Sequence, residues 1–256
     1  MPLSDRLVAV VIPAYNEADS LPAVIAGVPD FVSLIIVVDD GSTDDTVRVL
    51  AGLAQPRLIV IGHAHNRGVG AAIASGYGEA LRRSASVVAV MGGDGQMDPR
   101  DLTALVTPVL EGRTDYAKGD RFLGGEAFRV MPLVRYVGNV SLSLISKPVT
   151  GYWRVFDSQC GYTAISREAL AALPLDELYP RYGVPNDILT ALHERGFRVL
   201  DVPVRPLYPA RHSHMRLLRV VTSLSWLLVR LWRRRLRNEW GKPRPIASEV
   251  NDVCRN

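Results

Sequence analysis

Cysteine is nearly absent from this 256-residue chain; Cys160 and Cys254 are the only two. Two such thiols provide neither a disulfide framework nor a metal-ligand spacing, and a reducing cytosol is the expected setting. No apolar run approaches the ~18 residues of a membrane span. The start, Met1-Pro2-Leu3-Ser4-Asp5-Arg6, lacks a basic region followed by an apolar core, so no export is expected. There is no internal repeat, low-complexity tract or Pro/Ser-rich linker. The last absence is local: between Val202 and Asn238 stand nine arginines and not one Asp or Glu. The rest of the chain then holds 21 basic residues against 26 acidic, a balance of −5. One end is suited to anions, and one domain over residues 1–213 with an appendage over 214–256 is the expected organisation.

The domain itself is regular. Leu7 to Ile12, Leu34 to Val38, Leu58 to Ile61 and Val87 to Met91 read as strands, and Leu21 to Gly27, Thr46 to Leu53 and Gly70 to Arg82 as the helices between them. Repeated β-α-β units of this size imply an α/β fold with a parallel sheet and right-handed crossovers. The second half is less regular. It predicts strands near Tyr116–Lys118, Gly161–Ile165 and Arg198–Val202, helices near Arg167–Ala172 and Asn186–Glu194, and a mixed segment over Phe128–Tyr152.

Each early strand ends in polar residues. The first runs into Pro13-Ala14-Tyr15-Asn16-Glu17, the second into Asp39-Asp40-Gly41-Ser42-Thr43-Asp44, the third into Asn66-Arg67-Gly68-Val69-Gly70 and the fourth into Gly92-Gly93-Asp94-Gly95-Gln96. Ligands of open α/β sheets bind beyond the carboxyl ends of the strands, so these four segments converge on one ligand edge. There Asp94 and Gln96 are hard oxygen ligands for a divalent cation beside a phosphate. Asp39 and Asp40 are acceptors for a nucleobase or ribose, and the Asn66–Gly70 helix start offers N–H groups and an arginine to a diphosphate. Each segment taken alone is equally an ordinary turn or helix cap. His63 and His65 fall on a loop and carry no assignment.

These motifs, in this order, resemble inverting nucleotide-sugar glycosyltransferases of the GT-A fold, a Rossmann-type, mostly parallel sheet flanked by helices. The likeness continues through Asp157-Ser158-Gln159-Cys160-Gly161-Tyr162 and Val202-Pro203-Val204. Within that family the chain is most similar to polyprenyl-phosphate (dolichyl-phosphate type) mannosyl and glucosyl synthases. The resemblance implies that Pro13, Ala14, Tyr15, Glu17, Asp39, Asp40, Asn66, Arg67, Gly68 and Gly93 hold the donor nucleotide. It implies that Asp94 and Gln96 hold Mg²⁺ or Mn²⁺ against the diphosphate. It places Arg121, Arg135, Arg211 and Ser213 at an acceptor phosphate, and counts Asp94, Asp157, Arg121 and Arg135 among the catalytic residues. The sequence departs from the family at Gly92, where the first of two metal-motif acids usually stands, and at His214, which replaces a common lysine.

A phosphate acceptor is already anionic near neutral pH, with a second pKa of about 6, and needs positive charge more than a base. A hydroxyl acceptor needs a general base, and Asp187 stands close to where hydroxyl-using relatives carry theirs. In the appendage, Leu217, Val220, Val221, Leu224, Leu228 and Leu231 share one helical face, with Arg216, Arg219, Arg230, Arg233 and Arg237 opposite. This predicts a C-terminal basic amphipathic helix, either interfacial on anionic lipid or packed on the domain. No nucleic-acid partner is expected. The leading reading is a metal-dependent, inverting transfer of sugar from GDP-mannose or a UDP-sugar to a polyprenyl phosphate. It would take place on the inner, cytoplasmic face of the membrane, with the protein peripheral there. The alternatives are a hydroxyl acceptor with Asp187 as base, or a non-catalytic membrane and nucleotide-binding protein.

Overall fold

The computed structural model describes residues 6–53, 55–123, 133–153, 155–205 and 207. The C-terminal helix, Arg211 and Ser213 therefore lie outside the described residues, and of Arg135 only the backbone is described. Strands β1 (Val8–Ala14), β2 (Leu34–Asp39), β3 (Leu58–Gly62) and β4 (Val87–Val90) run parallel, linked by α1 (Leu21–Ala26), α2 (Thr46–Gly52) and α3 (Val69–Arg82). After them come α4 (Leu102–Leu110), β5 (Tyr116–Asp120), α5 (Leu133–Thr150), β6 (Thr163–Ser166), α6 (Arg167–Ala171), α7 (Val184–Glu194) and β7 (Val199–Pro203). They form one sheet in the order β3-β2-β1-β4-β6-β5-β7.

The central strands are unbroken apolar runs because both of their faces are covered. Alternate residues of β1 point to opposite sides. Val8, Val10 and Ile12 pack with Leu21 and Val24 of α1 and Leu102 and Leu105 of α4, whereas Ala9 and Val11 pack with Ala72, Ile73 and Tyr77 of α3 and Leu189 of α7. α3 lies especially close to the sheet: a Cβ at Gly76 would stand 2.3 Å from Val11 Cγ1.

The expected mostly parallel α/β sheet flanked by helices is present, with two differences. α4 was not anticipated, because Leu102–Leu110 is largely apolar, with only Thr103 and Thr107 polar, and carries Pro108 inside, which weakens the helical signal. The second concerns β6, antiparallel to both β4 and β5. The chain leaves β5 at the ligand edge, passes through α5 and enters β6 from that same edge, where Thr163 pairs with both Val90 and Lys118. The segment Asp157–Tyr162, just ahead of β6, is thereby delivered to the edge where β4 and β5 end.

Two glycines of α3 separate packing from propensity. Gly76→Ala should lower stability by about 1–3 kcal/mol through overpacking. At Gly78 a Cβ would have only the Arg82 side chain within 4 Å, so Gly78→Ala should raise stability by roughly 0.5–1 kcal/mol. Urea denaturation reads both, and equal midpoints for the two variants would remove the close-packing argument.

Candidate active site

The loops after β1 and β2 are laced together. Asn16 adopts a left-handed backbone (φ 58°). Its side-chain oxygen accepts from the Thr43 amide at 2.8 Å, while its own amide donates to Ser42 Oγ at 2.9 Å. The Glu17 amide donates to Thr46 Oγ1 at 2.9 Å, and the Ala18 amide to Asp44 at 3.3 Å. Ser20 Oγ lies 2.8 Å from both a Glu17 carboxylate oxygen and the Gly93 carbonyl, which brings Glu17 to the turn after β4. The Gly93 amide donates to the Pro13 carbonyl at 3.3 Å, and a side chain at Gly93 would press on that carbonyl and on Leu21. Tyr15 stands exposed beside them.

Asp39 and Asp40, at the end of β2, are both buried but are used differently. Asp39 accepts one backbone hydrogen bond, from Ser42 at 3.3 Å. Asp40 is fully occupied: it accepts from the amides of Arg67 at 2.9 Å and Gly68 at 2.7 Å, and lies 2.7 Å from His63 Nδ1. His63 Nε2 lies in turn 2.9 Å from Ser75 Oγ on α3. His63, unassigned from sequence, therefore braces this corner.

The start of α3 does not offer its amides as expected. Those of Arg67 and Gly68 go to Asp40, and those of Gly70 and Ala71 donate to the Pro180 carbonyl at 2.8 and 3.2 Å. Gly68 (φ 101°) and Gly70 permit that approach, since a Cβ at either would stand within 2.3 Å of the Pro180 or Tyr179 carbonyl oxygen. The loop that carries Pro180 is held from its other side by Asp187, whose buried carboxylate accepts from the Tyr179 amide at 2.8 Å.

After β4, Asp94 accepts from the Gln96 amide at 3.0 Å across Gly95, which has φ 71°. A Cβ at Gly92 would stand 3.1 Å from Asp94 Oδ1, so the residue missing from the family's acid pair sits against the one that remains. Among the described residues no three His, Cys, Asp or Glu side chains gather as a metal cluster. One carboxylate and one carboxamide suit Mg²⁺ or Mn²⁺ only with phosphate oxygens and water completing the shell. Two features here were not read from sequence. Tyr182 is exposed overall, yet partial removal from water, and then the charges of Asp94 and Glu17, push its hydroxyl above its ordinary pKa. The Leu207 amide donates to the Gln96 carbonyl at 3.2 Å, and Arg205 grips Asp101 through its backbone and its guanidinium at 2.6–2.9 Å. The chain beyond β7 is thus pinned to the turn that carries Asp94.

At the other end of the edge, Arg121 makes a two-pronged pair with the fully buried Asp157, at 2.6 and 2.9 Å. Around this pair lie Lys118, Asp120 and Asp201. Lys118 is fully buried, donates to the Cys160 carbonyl, and is pushed down in pKa by its burial. Asp120 is pushed up by burial; one of its oxygens accepts from Phe122 and Leu123, and the other has no partner among the described residues. Burial raises Asp201 to about 6, against a lowering contribution from the Phe156 amide it binds at 2.8 Å. None of Lys118, Asp120 or Asp201 was singled out from sequence; only their packing around Arg121 and Asp157 distinguishes them.

This cluster has a measurable pH signature. A carboxyl with a folded pKa above its unfolded value opposes folding once ionised, so the cost of Asp201 grows as pH rises from about 4 through about 6. Asp201→Asn retains an acceptor for Phe156 and should melt higher than the parent at pH 7.5, with the difference shrinking toward zero at pH 4. A difference independent of pH would remove the raised pKa.

Comparison with known proteins agrees with this geometry. Residues 9–173 match the family described as "Glycosyl transferase family 2". The UDP-N-acetylglucosamine–dolichyl-phosphate N-acetylglucosaminyltransferase of Methanococcus voltae is 30% identical over 80% of this chain and 88% of its own length. The polyprenol monophosphomannose synthase of Mycolicibacterium smegmatis is 33% identical over 76% of this chain and 75% of its own. In fold, the chain resembles glucosyl-3-phosphoglycerate synthase of Mycobacterium tuberculosis, solved with Mn²⁺, UDP and glucosyl-3-phosphoglycerate. That likeness has a TM-score of 0.66 at 24% identity, over 91% of this chain and 82% of that one. It identifies the fold as GT-A-like. The chain is a glycosyltransferase and belongs to glycosyl transferase family 2.

Proposed function

We propose that this chain transfers a sugar from a nucleoside diphosphate sugar to a polyprenyl phosphate, with inversion, at the cytoplasmic membrane face. The observation that carries the reading is Arg121. Its guanidinium is fixed by the fully buried Asp157, yet about a fifth of the side chain (21%) stays open at the ligand edge shared with Asp94. Asp157 acts here by orienting that arginine. The names of the two 30–33% identical relatives point to the same acceptor chemistry, a phosphate on a polyprenyl or dolichyl chain.

A phosphate oxygen attacks the anomeric carbon from the face opposite the departing diphosphate, forming the new C–O bond as the old one breaks. No base is required, because the acceptor arrives largely deprotonated. Arg121 offsets the repulsion between the two anions. Mg²⁺ or Mn²⁺ beside Asp94 and Gln96 would supply charge neutralisation at the leaving diphosphate. Arg211 belongs to the same reading, although it lies outside the described residues. The hydroxyl-acceptor alternative gains no support, since Asp187 is buried and engaged in holding the Tyr179 loop.

Asp94→Asn should remove most turnover with the fold intact, as read by circular dichroism, and Gln96→Ala should do less. Parent-like turnover by Asp94→Asn at limiting Mg²⁺ would take Asp94 out of the site.

The acceptor chemistry has its own test. Asp187→Asn, which keeps an acceptor for Tyr179, should cost far less than the ~10²–10⁴-fold of a lost general base. Arg121→Gln should cost roughly 10- to 100-fold, the worth of hydrogen bonds to a charged group. A polyprenyl alcohol should not be glycosylated at all. Transfer to the alcohol, with Asp187→Asn the most damaging change, would replace the phosphate acceptor with a hydroxyl.

For the membrane face, glutamate at Arg230, Arg233 and Arg237 together should weaken sedimentation with anionic vesicles, and added salt should mimic the change. Equal sedimentation of variant and parent would leave the arginine face without a lipid role.

A further inference from the structure

The amides expected to be free at the start of α3 are taken, and the structure offers guanidinium groups beside them. A helix start attracts phosphate through unpaired amides. Here the amides of Arg67, Gly68, Gly70 and Ala71 are all bonded, two to the Asp40 carboxylate and two to the Pro180 carbonyl. The ligand edge around them is lined by Glu17, Asp39, Asp40 and Asp94, so an incoming diphosphate meets acids and neutralised amides.

The segment that closes the helix start also carries a cation. Arg181 follows Pro180, is exposed, and lays its stem against Gly68: its Cγ is 3.1 Å from where a Cβ of Gly68 would stand. Arg67, also exposed, is the neighbour of Gly68 on the other side. Among the described residues neither guanidinium has an ion-pair partner, in contrast to Arg121 and Arg205. The next residue, Tyr182, is exposed and feels the charges of Asp94 and Glu17. The backbone of this segment is fixed just before Arg181, by Pro180 on the Gly70 and Ala71 amides and by Tyr179 on Asp187, and just after it by the Val184 amide, which donates to the Arg181 carbonyl at 3.0 Å. Arg181 is therefore presented with little backbone left to order on binding.

We infer that Arg181 is a substrate-contacting residue that, with Arg67, binds the diphosphate of the nucleotide in place of the capped helix start. This rests on the nucleoside diphosphate sugar reading above. A guanidinium is suited to it, presenting paired N–H donors to phosphate oxygens.

Isothermal titration of the full chain with UDP, GDP, UMP and uridine, at fixed Mg²⁺, separates the contributions. Arg181→Gln should weaken the better-binding diphosphate by roughly 10- to 100-fold, weaken UMP less, and leave uridine unchanged. Arg181→Lys should recover part of the loss, and in transfer assays the donor KM should rise more than kcat falls. Parent affinity for the diphosphate in Arg181→Gln would overturn the inference while leaving the glycosyltransferase reading in place. A parent chain that binds neither UDP nor GDP would overturn the donor reading itself, and this inference with it.

Discussion

The end of the sheet edge built from β2, β3 and α3 depends on the buried carboxylate of Asp40. An ion at 3% exposure is tolerated only if its oxygens are satisfied, and here they are: by two consecutive amides of the turn after β3 and by His63. That arrangement joins the ends of β2 and β3, turns the chain into α3, and fixes where Gly68 and Gly70 can receive the Pro180 carbonyl. His63 extends the brace to Ser75 on α3 itself. The carboxylate that most resembles a nucleotide ligand in the sequence is also a structural member in the fold.

The opposite end of the edge rests on compensation of another kind. Lys118 and Arg121 are enclosed with Asp120, Asp157 and Asp201, so carboxyls outnumber cations, and burial pushes Asp120 and Asp201 up in pKa. The bidentate Asp157 pairing leaves Arg121 with a defined orientation. Orientation matters more than charge alone where two anions must meet at a fixed distance. Both ends thus use the same device, a buried acid that orders the group beside it.

What could be read in the sequence follows from range. The first four strands are recognisable because a parallel sheet covered on both faces requires continuous Val and Ile runs, and their polar ends align because ligands gather at that edge. α4 escaped because its short, proline-containing stretch marks its outer face with only two threonines. The orientation of β6 escaped because it depends on which edge the chain occupies after α5, which no local pattern records. Within the site, the motif residues were legible as a series, but their division of labour was not. Asp39 and Asp40 are adjacent and alike in sequence, and only the arrival of Arg67 and Gly68 separates their uses. Arg181, Tyr182 and Lys118 carry no local signal whatever; each becomes distinctive through neighbours far along the chain.

The carbonyl that closes the start of α3 has a consequence for how this protein comes into being. Contacts between residues distant in sequence form late, since the intervening chain must first be brought together. Gly70 and Ala71 wait for Pro180, and the loop bearing Pro180 waits for Asp187. The stretch matched to the family ends at residue 173, short of both. A nascent or truncated chain ending there would hold every strand-end motif yet leave those two amides uncapped. The boundary where the family match stops is not the boundary where this edge of the sheet is complete.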